Sequence, residues 1–307
     1  MAKIAEKYLK VDPWVVEENG FHKERGRVSE SVFSLANEFM GVRGYFDEGY
    51  SGDKLVGSYI NGIYDEKEII HAAYFLGMAK RFCFMINTVD WLYTRIKIDG
   101  EQLDLNKSDF SNFRRTLDMR TGILTREFVW NLKNGKNVKL KFTRFLSMIN
   151  ANVGFQKVEF LPLDFDGSVE IESGVDFTPV HELENKNFWT EEKTTDSAIL
   201  CKTENSHQHL YSSFELLPSE NVDTQNVNSD KKVVKKFTLS LKKDETTSFV
   251  KKVVNYAERK RDESAEKAWA DAEALRKSLA SVNYDEEIIK HNEFWKNSWN
   301  NLDITIE

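Results

Sequence analysis

Two carboxylates that share one face of a strand are the arrangement closest to catalytic chemistry in this chain. Glu170 and Glu172 stand at positions i and i+2, and side chains with that spacing point to the same side of a β-strand. A carboxyl group with a raised pKa could protonate a leaving oxygen as a general acid. The chain carries 50 acidic residues among 307, so such pairs arise by chance. We therefore predict a solvated strand face and no catalytic pair.

Histidines and cysteines are the candidates for a metal ion. His207 and His209 are two residues apart, and on a strand both imidazoles would face one side as half of a metal site. No third ligand is close in sequence, so we predict no metal site. Cys83 and Cys201 are far apart and stand in apolar company. We interpret both cysteines as small buried hydrophobic side chains. Their spacing fits neither a disulfide framework nor a zinc pattern.

Composition and motif content exclude further classes of function. The net charge is −7, whereas a nucleic-acid binder needs a basic face that displaces counterions from phosphates. The first residues lack an apolar segment of signal-peptide length, and no apolar run approaches the ~18 residues of a membrane helix. No glycine-rich phosphate loop and no nucleophile elbow is recognisable. We predict a cytoplasmic protein without nucleic-acid partner, membrane partner or bound cofactor.

The elements that would position any site are mostly strands. Between about residues 80 and 256, short runs rich in β-branched and aromatic residues are divided by turn signals. Asn134 and Gly135 mark a hairpin, and the strand after them alternates apolar and polar residues. Many strands without interleaved helices predict a mainly β fold, a large antiparallel β-sandwich, over residues 1–258. Alternation alone leaves a jelly roll or a barrel open.

The last fifty residues are predicted to form two helices. From residue 262 to 282, apolar residues recur at intervals of three and four, which places them on one stripe of a helix. A second helix begins after Asn283, whose side chain can cap it. These two helices form the predicted segment 259–307.

One pattern near the N-terminus is more specific. Residues 30–44 read ESVFSLANEFMGVRG and place one asparagine, two glycines and one arginine among apolar residues. Residues 57–64 read GSYINGIY, and residues 117–126 and 144–148 read LDMRTGILTR and RFLSM. These four segments in order resemble the N-terminal domain of glycoside hydrolase family 65, which contains disaccharide phosphorylases. The resemblance covers nearly the whole chain, with one departure at Glu38, where many family members have glycine.

The resemblance implies a domain organisation that extends past this chain. In the family, a β-sandwich domain and linker helices precede an (α/α)6 barrel that carries the active site. Residues 1–258 would then be the N-terminal sandwich and residues 259–307 the helical linker, with the barrel beyond. A glutamic acid of the barrel protonates the glycosidic oxygen while inorganic phosphate, a co-substrate, attacks the anomeric carbon from the opposite face. The resemblance therefore predicts no catalytic residue here.

The same resemblance suggests residues that could meet the barrel. The candidates for an active-site rim or an interdomain contact are Asn37, Arg43, Tyr59, Asn61 and Tyr64. For Arg43, two interpretations remain open. Its guanidinium could be buried against backbone carbonyls or a carboxylate such as Glu30 or Glu48, or it could lie on a loop that shapes the rim.

Two tryptophans on the second tail helix suggest a docking surface. Trp295 and Trp299 line one face of that helix together with Ile288 and Leu302. They could stack on a sugar, but their helical phasing favours burial, roughly 150–250 Å² for each ring. We predict that Trp295 and Trp299 dock on the barrel.

Three functions are consistent with the sequence. The first is a non-catalytic N-terminal domain of an inverting α-glucoside (disaccharide) phosphorylase, acting on maltose, kojibiose, nigerose or trehalose. Such a domain supports the catalytic (α/α)6 domain in cis or in trans, meets the α-linked glucose disaccharide through it, and could mediate a homodimer. The second is a stand-alone carbohydrate-binding β-sandwich module. The third is one subunit of a split phosphorylase.

Overall fold

The computed structural model describes residues 8–10, 12–73 and 75–303, and strands predominate in them. The strands are β1 Leu9–Lys10, β2 Val15–Asn19, β3 Leu35–Ala36, β4 Met40–Val42, β5 Ser58–Ile60, β6 Asp65–Glu68, β7 Arg81–Phe84, β8 Thr94–Ile98, β9 Glu101–Gln102, β10 Asp109–Asp118, β11 Ile123–Asn131, β12 Asn137–Leu146, β13 Val153–Pro162, β14 Gly167–Asp176, β15 Trp189–Thr194, β16 Ala198–Thr203, β17 His209–Pro218, β18 Gln225–Asn226, β19 Lys232–Leu241 and β20 Thr247–Glu258. The helices are a 3-10 turn at Lys23–Arg25, α1 Gly26–Val32, α2 Ala265–Ser278 and α3 Tyr284–Leu302.

Two antiparallel sheets face each other and confirm the predicted sandwich. Within the described ranges, ten strands form one sheet in the order β1-β2-β10-β11-β12-β13-β20-β17-β16-β15. Five strands form the second in the order β18-β19-β14-β8-β9. The predicted hairpin joins β11 to β12, where Gly135 adopts a φ of 86° that suits glycine. These two strands pair without interruption from Leu124–Arg144 to Asn131–Asn137.

The main core lies between the sheets and follows the predicted alternation. On β11 and β12, Phe128, Trp130 and Leu140 point inward and are fully buried. Glu127 and Lys139 point outward and form an ion pair at 2.9 Å. Because each large apolar side chain stabilises by about 1.5–3 kcal/mol when buried, this layer holds the two sheets together. Its partners on the smaller sheet are Ile96, Ile98, Val169, Ile171, Phe237 and Leu239.

The two predicted tail helices are confirmed, and they cover the outer face of the ten-stranded sheet. Ser264 and Asn283 cap α2 and α3 by accepting backbone N–H groups three residues on, at 3.2 and 3.0 Å. Ala268 and Ala272 of α2 are fully buried against Tyr211 and its neighbours. No helix in the described part of the chain combines the length and apolar character that crossing a bilayer requires. The division between residues 258 and 259 stays a prediction.

The smaller strand pairs gather at one end of the sandwich, which we call the turn end. That end holds the turns β10–β11, β12–β13 and β16–β17, at residues 119–122, 147–152 and 204–208. Asn37 ties the β3-β4-β5 sheet to the second turn. The β6–β7 hairpin is described over residues 65–73 and 75–85, which we call the ribbon. Asp65 ties it to the third turn by accepting the N–H groups of Asn205 and Ser206. All four motif segments therefore reach the turn end.

Three buried arginines inside the sandwich hold the chain just after the first motif. Arg115, Arg126 and Arg144 stand on the adjacent strands β10, β11 and β12 and are almost completely buried. Arg115 donates to the backbone carbonyl of Gly44 at 2.9 Å. Arg144 donates to the carbonyls of residues 43 and 45, both at 3.1 Å. The segment from residue 43 to 48 is thereby fixed against the three central strands.

Each of these guanidinium groups also has a carboxylate partner in the dry interior. Burial lowers the pKa of Arg115, and the neighbouring Glu18 carboxylate opposes that effect. Arg126 makes two hydrogen bonds to Glu48, a bidentate pair that fixes both side chains. Removing Glu48 would leave Arg126 with only the more distant Asp47 carboxylate, at 3.4 Å, which is costly for a buried charge. The pairs are Arg115–Glu18 at 2.5 Å, Arg126–Glu48, and Arg144–Asp47 at 3.5 Å.

Replacing Glu48 with alanine should reduce the free energy of unfolding by about 3–5 kcal/mol, because Arg126 would remain charged and buried without its bidentate partner. Urea unfolding followed by circular dichroism measures this loss. The matched control is Glu127→Ala on the outer face of β11, which removes the exposed partner of Lys139 and should cost at most about 1 kcal/mol. Equal losses for the two variants would contradict the importance given to the buried pair.

Candidate functional site

Asn37 closes the hairpin between β3 and β4 and ties it to the turn end. Its side-chain oxygen accepts the backbone N–H groups of Phe39 and Met40 at 2.9 and 2.7 Å. Its amide nitrogen donates to the carbonyls of Ser147 and Ala151 at 2.8 and 3.0 Å. These four hydrogen bonds use both the oxygen and the nitrogen of the Asn37 side-chain amide within the domain. The predicted position of Asn37 at an active-site rim stays a prediction.

The departure from the family pattern at Glu38 is accommodated without backbone strain. Glu38 does not adopt a positive φ, so its β-carbon is tolerated there. Its carbonyl oxygen accepts the side-chain amide of Asn61 at 3.1 Å. The backbone N–H of Asn61 donates to the carbonyl of Phe39 at 2.8 Å. The structure therefore brings Asn37 and Asn61 to the same small turn.

Arg43 is mostly buried, and its contacts match the structural interpretation. Its guanidinium donates to the backbone carbonyl of Arg27 at 3.1 Å and lies 3.8 Å from the carboxylate of Glu30. Burial raises the pKa of Glu30, and the charge of Arg43 opposes that rise. The aliphatic part of the Arg43 side chain passes close to Gly57. A β-carbon added at Gly57 would lie 2.3 Å from Cδ of Arg43. A function at the rim stays a prediction.

The two candidate tyrosines are half-buried and lie in different surroundings. The hydroxyl of Tyr59 lies beside Gly57, on the same side as Arg43, and burial raises the pKa of Tyr59. The hydroxyl of Tyr64 accepts from Arg261 at 3.1 Å, while its backbone N–H donates to Gln208 at 3.1 Å. The five candidates therefore share the turn end without converging on one pocket, and their rim function remains untested.

Helix α3 lies on the turn end through a stripe that the sequence analysis missed. Glu287, His291, Trp295 and Trp299 recur every four residues, and residues with that spacing share a helix face. The first two are fully buried and the tryptophans are half-buried. Leu302, which was predicted on the buried face, is 76% exposed, because the contacts with the turns end at Trp299. The four-residue spacing of this stripe is visible in the sequence, but two of its residues, Glu287 and His291, are polar.

The polar half of this stripe recognises backbone in two turns. Glu287 accepts a hydrogen bond from the hydroxyl of Ser147. The Nε2 atom of His291 lies 2.6 Å from the carbonyl of Thr121, and its Nδ1 accepts the N–H of Met148 at 3.3 Å. One ring nitrogen must donate and the other accept, which requires a neutral imidazole. Burial lowers the pKa of His291 and favours that neutral form.

The aromatic half of the stripe packs on the domain itself and borders a cavity. The indole nitrogen of Trp299 donates to the carbonyl of Met119 at 2.7 Å. Trp299 meets Trp14 edge to face at 5.1 Å and stacks on Trp295 at 6.0 Å. The buried indole nitrogen of Trp295 has no partner among the described residues. A mainly apolar cavity of about 230 Å³ lies beside the two rings, and docking of a barrel there stays a prediction.

The carboxylate pair lies on the strand where the sequence analysis placed it, and its lack of a catalytic role stays a prediction. Glu170 and Glu172 lie on the outer face of β14, as predicted for a solvated strand face. Glu172 accepts the hydroxyl of Tyr93 at 2.6 Å and lies 3.9 Å from Lys236. Glu172 is therefore held by structural partners.

The histidines and cysteines form no metal site within residues 8–10, 12–73 and 75–303. The expected shared strand face of the two histidines was wrong. His207 lies in the turn before β17 with a φ of 53°, and its Nδ1 is 2.6 Å from Asp262, whereas His209 begins the strand. Cys201 is buried as predicted. Cys83 is exposed, because it lies on the ribbon, outside the two sheets that enclose the core.

Lys251 combines full burial with a pKa near neutrality, a property often found at functional sites. Desolvation lowers its pKa to about 7. Its ammonium group donates to the carbonyls of Tyr93 and Gly174 at 2.9 and 3.1 Å, and so bridges β20 to the smaller sheet. Because it is enclosed between the sheets, Lys251 serves the packing of the sandwich and offers no position for a substrate.

Comparison with known proteins agrees with the four motif segments. A family model described as glycosyl hydrolase family 65, N-terminal domain, matches residues 16–298. The chain belongs to this family. The matched region runs from β2 through α2 into α3, so the tail helices are part of the unit that the family model describes.

The relatives of this family 65 domain are longer proteins. Maltose phosphorylase of Bacillus subtilis is 28% identical over 99% of this chain and 41% of its own length. Kojibiose phosphorylase of Thermoanaerobacter brockii is 24% identical over 96% of this chain and 39% of its own length. A solved human-microbiome protein assigned as a kojibiose phosphorylase is 30% identical, with a TM-score of 0.87 over 97% of this chain and 39% of that protein. The chain thus spans about two-fifths of the length of these relatives.

Stability should decrease as the pH falls below about 6.5, the ordinary pKa of histidine, partly because of His291. Folding lowers the pKa of this imidazole, so the unfolded chain takes up the proton first and a lower pH favours unfolding. His291 contributes its full stabilisation above the pKa that the imidazole has in the unfolded chain. That contribution is lost as the pH falls below this value. Thermal melts at pH 7.5 and 5.5 measure the effect. His291→Gln, which stays uncharged, should lose less stability between the two values; an unchanged loss would contradict the assignment.

Replacing Gly122 with alanine should displace the C-terminal half of α3. An added β-carbon would lie 2.5 Å from Nε1 of Trp295, so the ring must move. Gly135 is the matched control, because it also has a positive φ but has open space around it. Both variants should lose roughly 1–2 kcal/mol from backbone strain. Only Gly122→Ala should shift tryptophan emission to longer wavelength and speed amide exchange in α3; equal exchange in both variants would refute the contact.

Proposed function

We propose that this chain is the non-catalytic N-terminal domain of an inverting α-glucoside phosphorylase, acting with a catalytic domain in cis or in trans. The observation that carries the proposal is the family match over residues 16–298, combined with relatives of which the chain spans only about two-fifths. The side chains also support it, since Asn37, Arg43, Asn61 and Tyr64 are engaged in hydrogen bonds within the domain. On this proposal, the catalytic acid and the phosphate site lie in the remaining part of the enzyme.

The substrates follow from the relatives. The chain is 28%, 32% and 24% identical to phosphorylases of maltose, of trehalose and of kojibiose, over different lengths of the chain. Proteins named for three different disaccharides thus share this domain at similar identity. We therefore propose that the domain serves a phosphorolysis with inorganic phosphate as co-substrate and an α-linked glucose disaccharide as substrate, while the choice of disaccharide is made in the catalytic domain.

The turn end is the surface that we assign to the catalytic domain. All four motif segments reach it, and α3 lies across it with Trp295 and Trp299 beside an apolar cavity. Asn37 and Arg43 use their polar atoms to hold neighbouring loops. We propose that they shape this surface and position its loops, and that residues 259–303 connect the sandwich to the catalytic domain.

A carbohydrate-binding module is the second candidate, because the outer face of the five-stranded sheet carries a groove of about 840 Å³. Polar side chains such as Lys97, Glu170 and Gln225 line it. The aromatic residue of the lining, Phe237, is buried, so the groove presents no ring on which a sugar could stack. Isothermal titration with the same disaccharides should show no heat of binding. Saturable binding that Glu170→Gln weakens would favour this second candidate.

The purified chain should release no glucose 1-phosphate from inorganic phosphate and maltose, kojibiose, nigerose or trehalose, because its described residues place no acid opposite an anion site. An enzyme-coupled assay of glucose 1-phosphate measures this. Full-length maltose phosphorylase of Bacillus subtilis is the positive control, and the reaction without protein is the blank. Product above the blank, at a rate proportional to the concentration of the chain, would overturn the non-catalytic assignment.

A further inference from the structure

Three Asn-Gly pairs in this chain have a chemical reactivity that the proposed function does not involve. They are Asn19-Gly20, Asn61-Gly62 and Asn134-Gly135, and all six residues are exposed. In such a pair the backbone nitrogen of the glycine can attack the side-chain amide of the asparagine, because glycine has no β-carbon to obstruct the approach. For this attack, the glycine nitrogen must be free of hydrogen bonds and the asparagine side chain must be able to reach it.

Hydrogen bonds oppose this attack at two of the three pairs. The N–H groups of Gly20 and Gly135 donate to backbone carbonyls at 2.8 and 2.9 Å. The side-chain amides of Asn19 and Asn134 donate to carboxylates at 2.7 and 2.8 Å. Hydrogen bonds to an ionised acceptor are stronger than those between neutral groups. Both reacting groups are therefore engaged at these two pairs.

The third pair, Asn61-Gly62, differs in both respects. It occupies the centre of a turn in which the N–H of Ile63 donates to the carbonyl of Ile60 at 3.1 Å, and Gly62 has a φ of 82°. Among the described residues, the N–H of Gly62 has no hydrogen-bond partner. The side-chain amide of Asn61 donates to the neutral carbonyl of Glu38 at 3.1 Å. The fold thus leaves the attacking nitrogen free and holds the asparagine amide by one exposed hydrogen bond.

The guanidinium group of Arg259 lies over this turn. A β-carbon placed at Gly62 would lie 2.7 Å from Nε and 3.4 Å from Cζ of Arg259. Arg259 is exposed, and its charge lies 5.7 Å from the ring centre of Phe39. Attack by the nitrogen of Gly62 builds negative charge on that nitrogen and on the side-chain oxygen of Asn61. A positive group that is already placed beside developing negative charge lowers the energy of the transition state.

We propose that Asn61 is a site of spontaneous modification in the folded domain, at which its side-chain amide is converted to a carboxylate through a cyclic imide. The backbone nitrogen of Gly62 gives its proton to water and forms a bond to Cγ of Asn61, and the side-chain nitrogen leaves as ammonia. Water then opens the imide at one of its two carbonyls. Opening at Cγ gives aspartate, and opening at the backbone carbonyl gives isoaspartate. No oxidant or reductant takes part.

This conversion would alter the turn end. The new carboxylate can no longer donate to the carbonyl of Glu38, and it carries a negative charge close to Arg259. Isoaspartate also lengthens the backbone by one carbon, which would disturb the hydrogen bond from the N–H of Asn61 to the carbonyl of Phe39 at 2.8 Å. The hairpin that Asn37 closes would be loosened as a result. Only the further effect on a catalytic domain at this surface rests on the proposed function.

Incubation of the purified chain at mildly alkaline pH, followed by peptide mapping and an isoaspartate assay, tests the site. In the folded chain, Asn61 should convert roughly 10-fold faster than Asn19 or Asn134, because a hydrogen bond of the glycine must first break at those two pairs. In concentrated urea, where the fold is lost, the three asparagines should convert at similar rates. Equal rates in the folded chain, or the same ranking in urea, would overturn the proposal.

The variant Arg259→Gln tests the contribution of the guanidinium group. It should slow the conversion of Asn61 by roughly 5-fold and leave that of Asn134 unchanged. The matched control is Lys260→Gln, which removes the next positive charge along the chain, whose partner is Glu263 at 3.1 Å, and should not change the rate at Asn61. Both replaced side chains are exposed, so neither variant should change the melting temperature.

An unchanged rate in Arg259→Gln, or an equal fall in both variants, would refute the contribution of Arg259. The variant Asn61→Gln should abolish the new product, and a product that persists in it would show that another residue reacts. None of these measurements involves phosphorolysis. The proposed function can therefore fail while the modification site stands, and the reverse is equally true.

Discussion

Three arginines inside a β-sandwich set the constraint on which the rest of this structure depends. Arg115 and Arg126 stand directly opposite each other on β10 and β11, and Arg144 lies opposite Leu124 one strand further. Their charges cannot be buried without partners. Carboxylates and the carbonyls of residues 43–45 supply those partners. Because a shift of one residue would turn a strand's side chains to the other face, these bonds also fix the register of the central strands.

The segment of residues 43–48, which the three arginines hold, connects the interior of the sandwich to its surface. Residues 43–48 follow β4 directly, so the arginines also determine where the β3-β4-β5 sheet is placed. Asn37 then fastens that sheet to the turn between β12 and β13, and α3 lies over the same turn through Glu287 and His291. A chain of hydrogen bonds to backbone thus runs from the core to the turn end. Since backbone carbonyls and N–H groups cannot move independently of the strands, the shape of the turn end is as rigid as the sandwich.

This architecture suits a domain that contributes a rigid surface at the turn end and not a reactive side chain. The titratable side chains with perturbed pKa values, such as Lys251 and His291, are enclosed and bonded to backbone. Their shifts arise from burial and serve packing, which is the common alternative to catalysis for perturbed groups. Several unsatisfied polar atoms, such as the indole nitrogens of Trp91, Trp130 and Trp295, are likewise buried.

Much of the fold and little of the candidate site were predictable from sequence. Local periodicity predicted a strand-rich region between about residues 80 and 256, the hairpin at Gly135, the two tail helices and the cap at Asn283, because alternation and capping act within a few residues. The ordered motif segments also determined the family. Only the tertiary structure decided that Arg126 pairs with Glu48, 78 residues away, and that His291 meets Thr121, 170 residues away. It also placed His207 in a turn, left Leu302 and Cys83 exposed, and turned polar Glu287 inward. Those outcomes depend on which turns happen to lie beneath a helix or beside a hairpin, and no local pattern of residues records that.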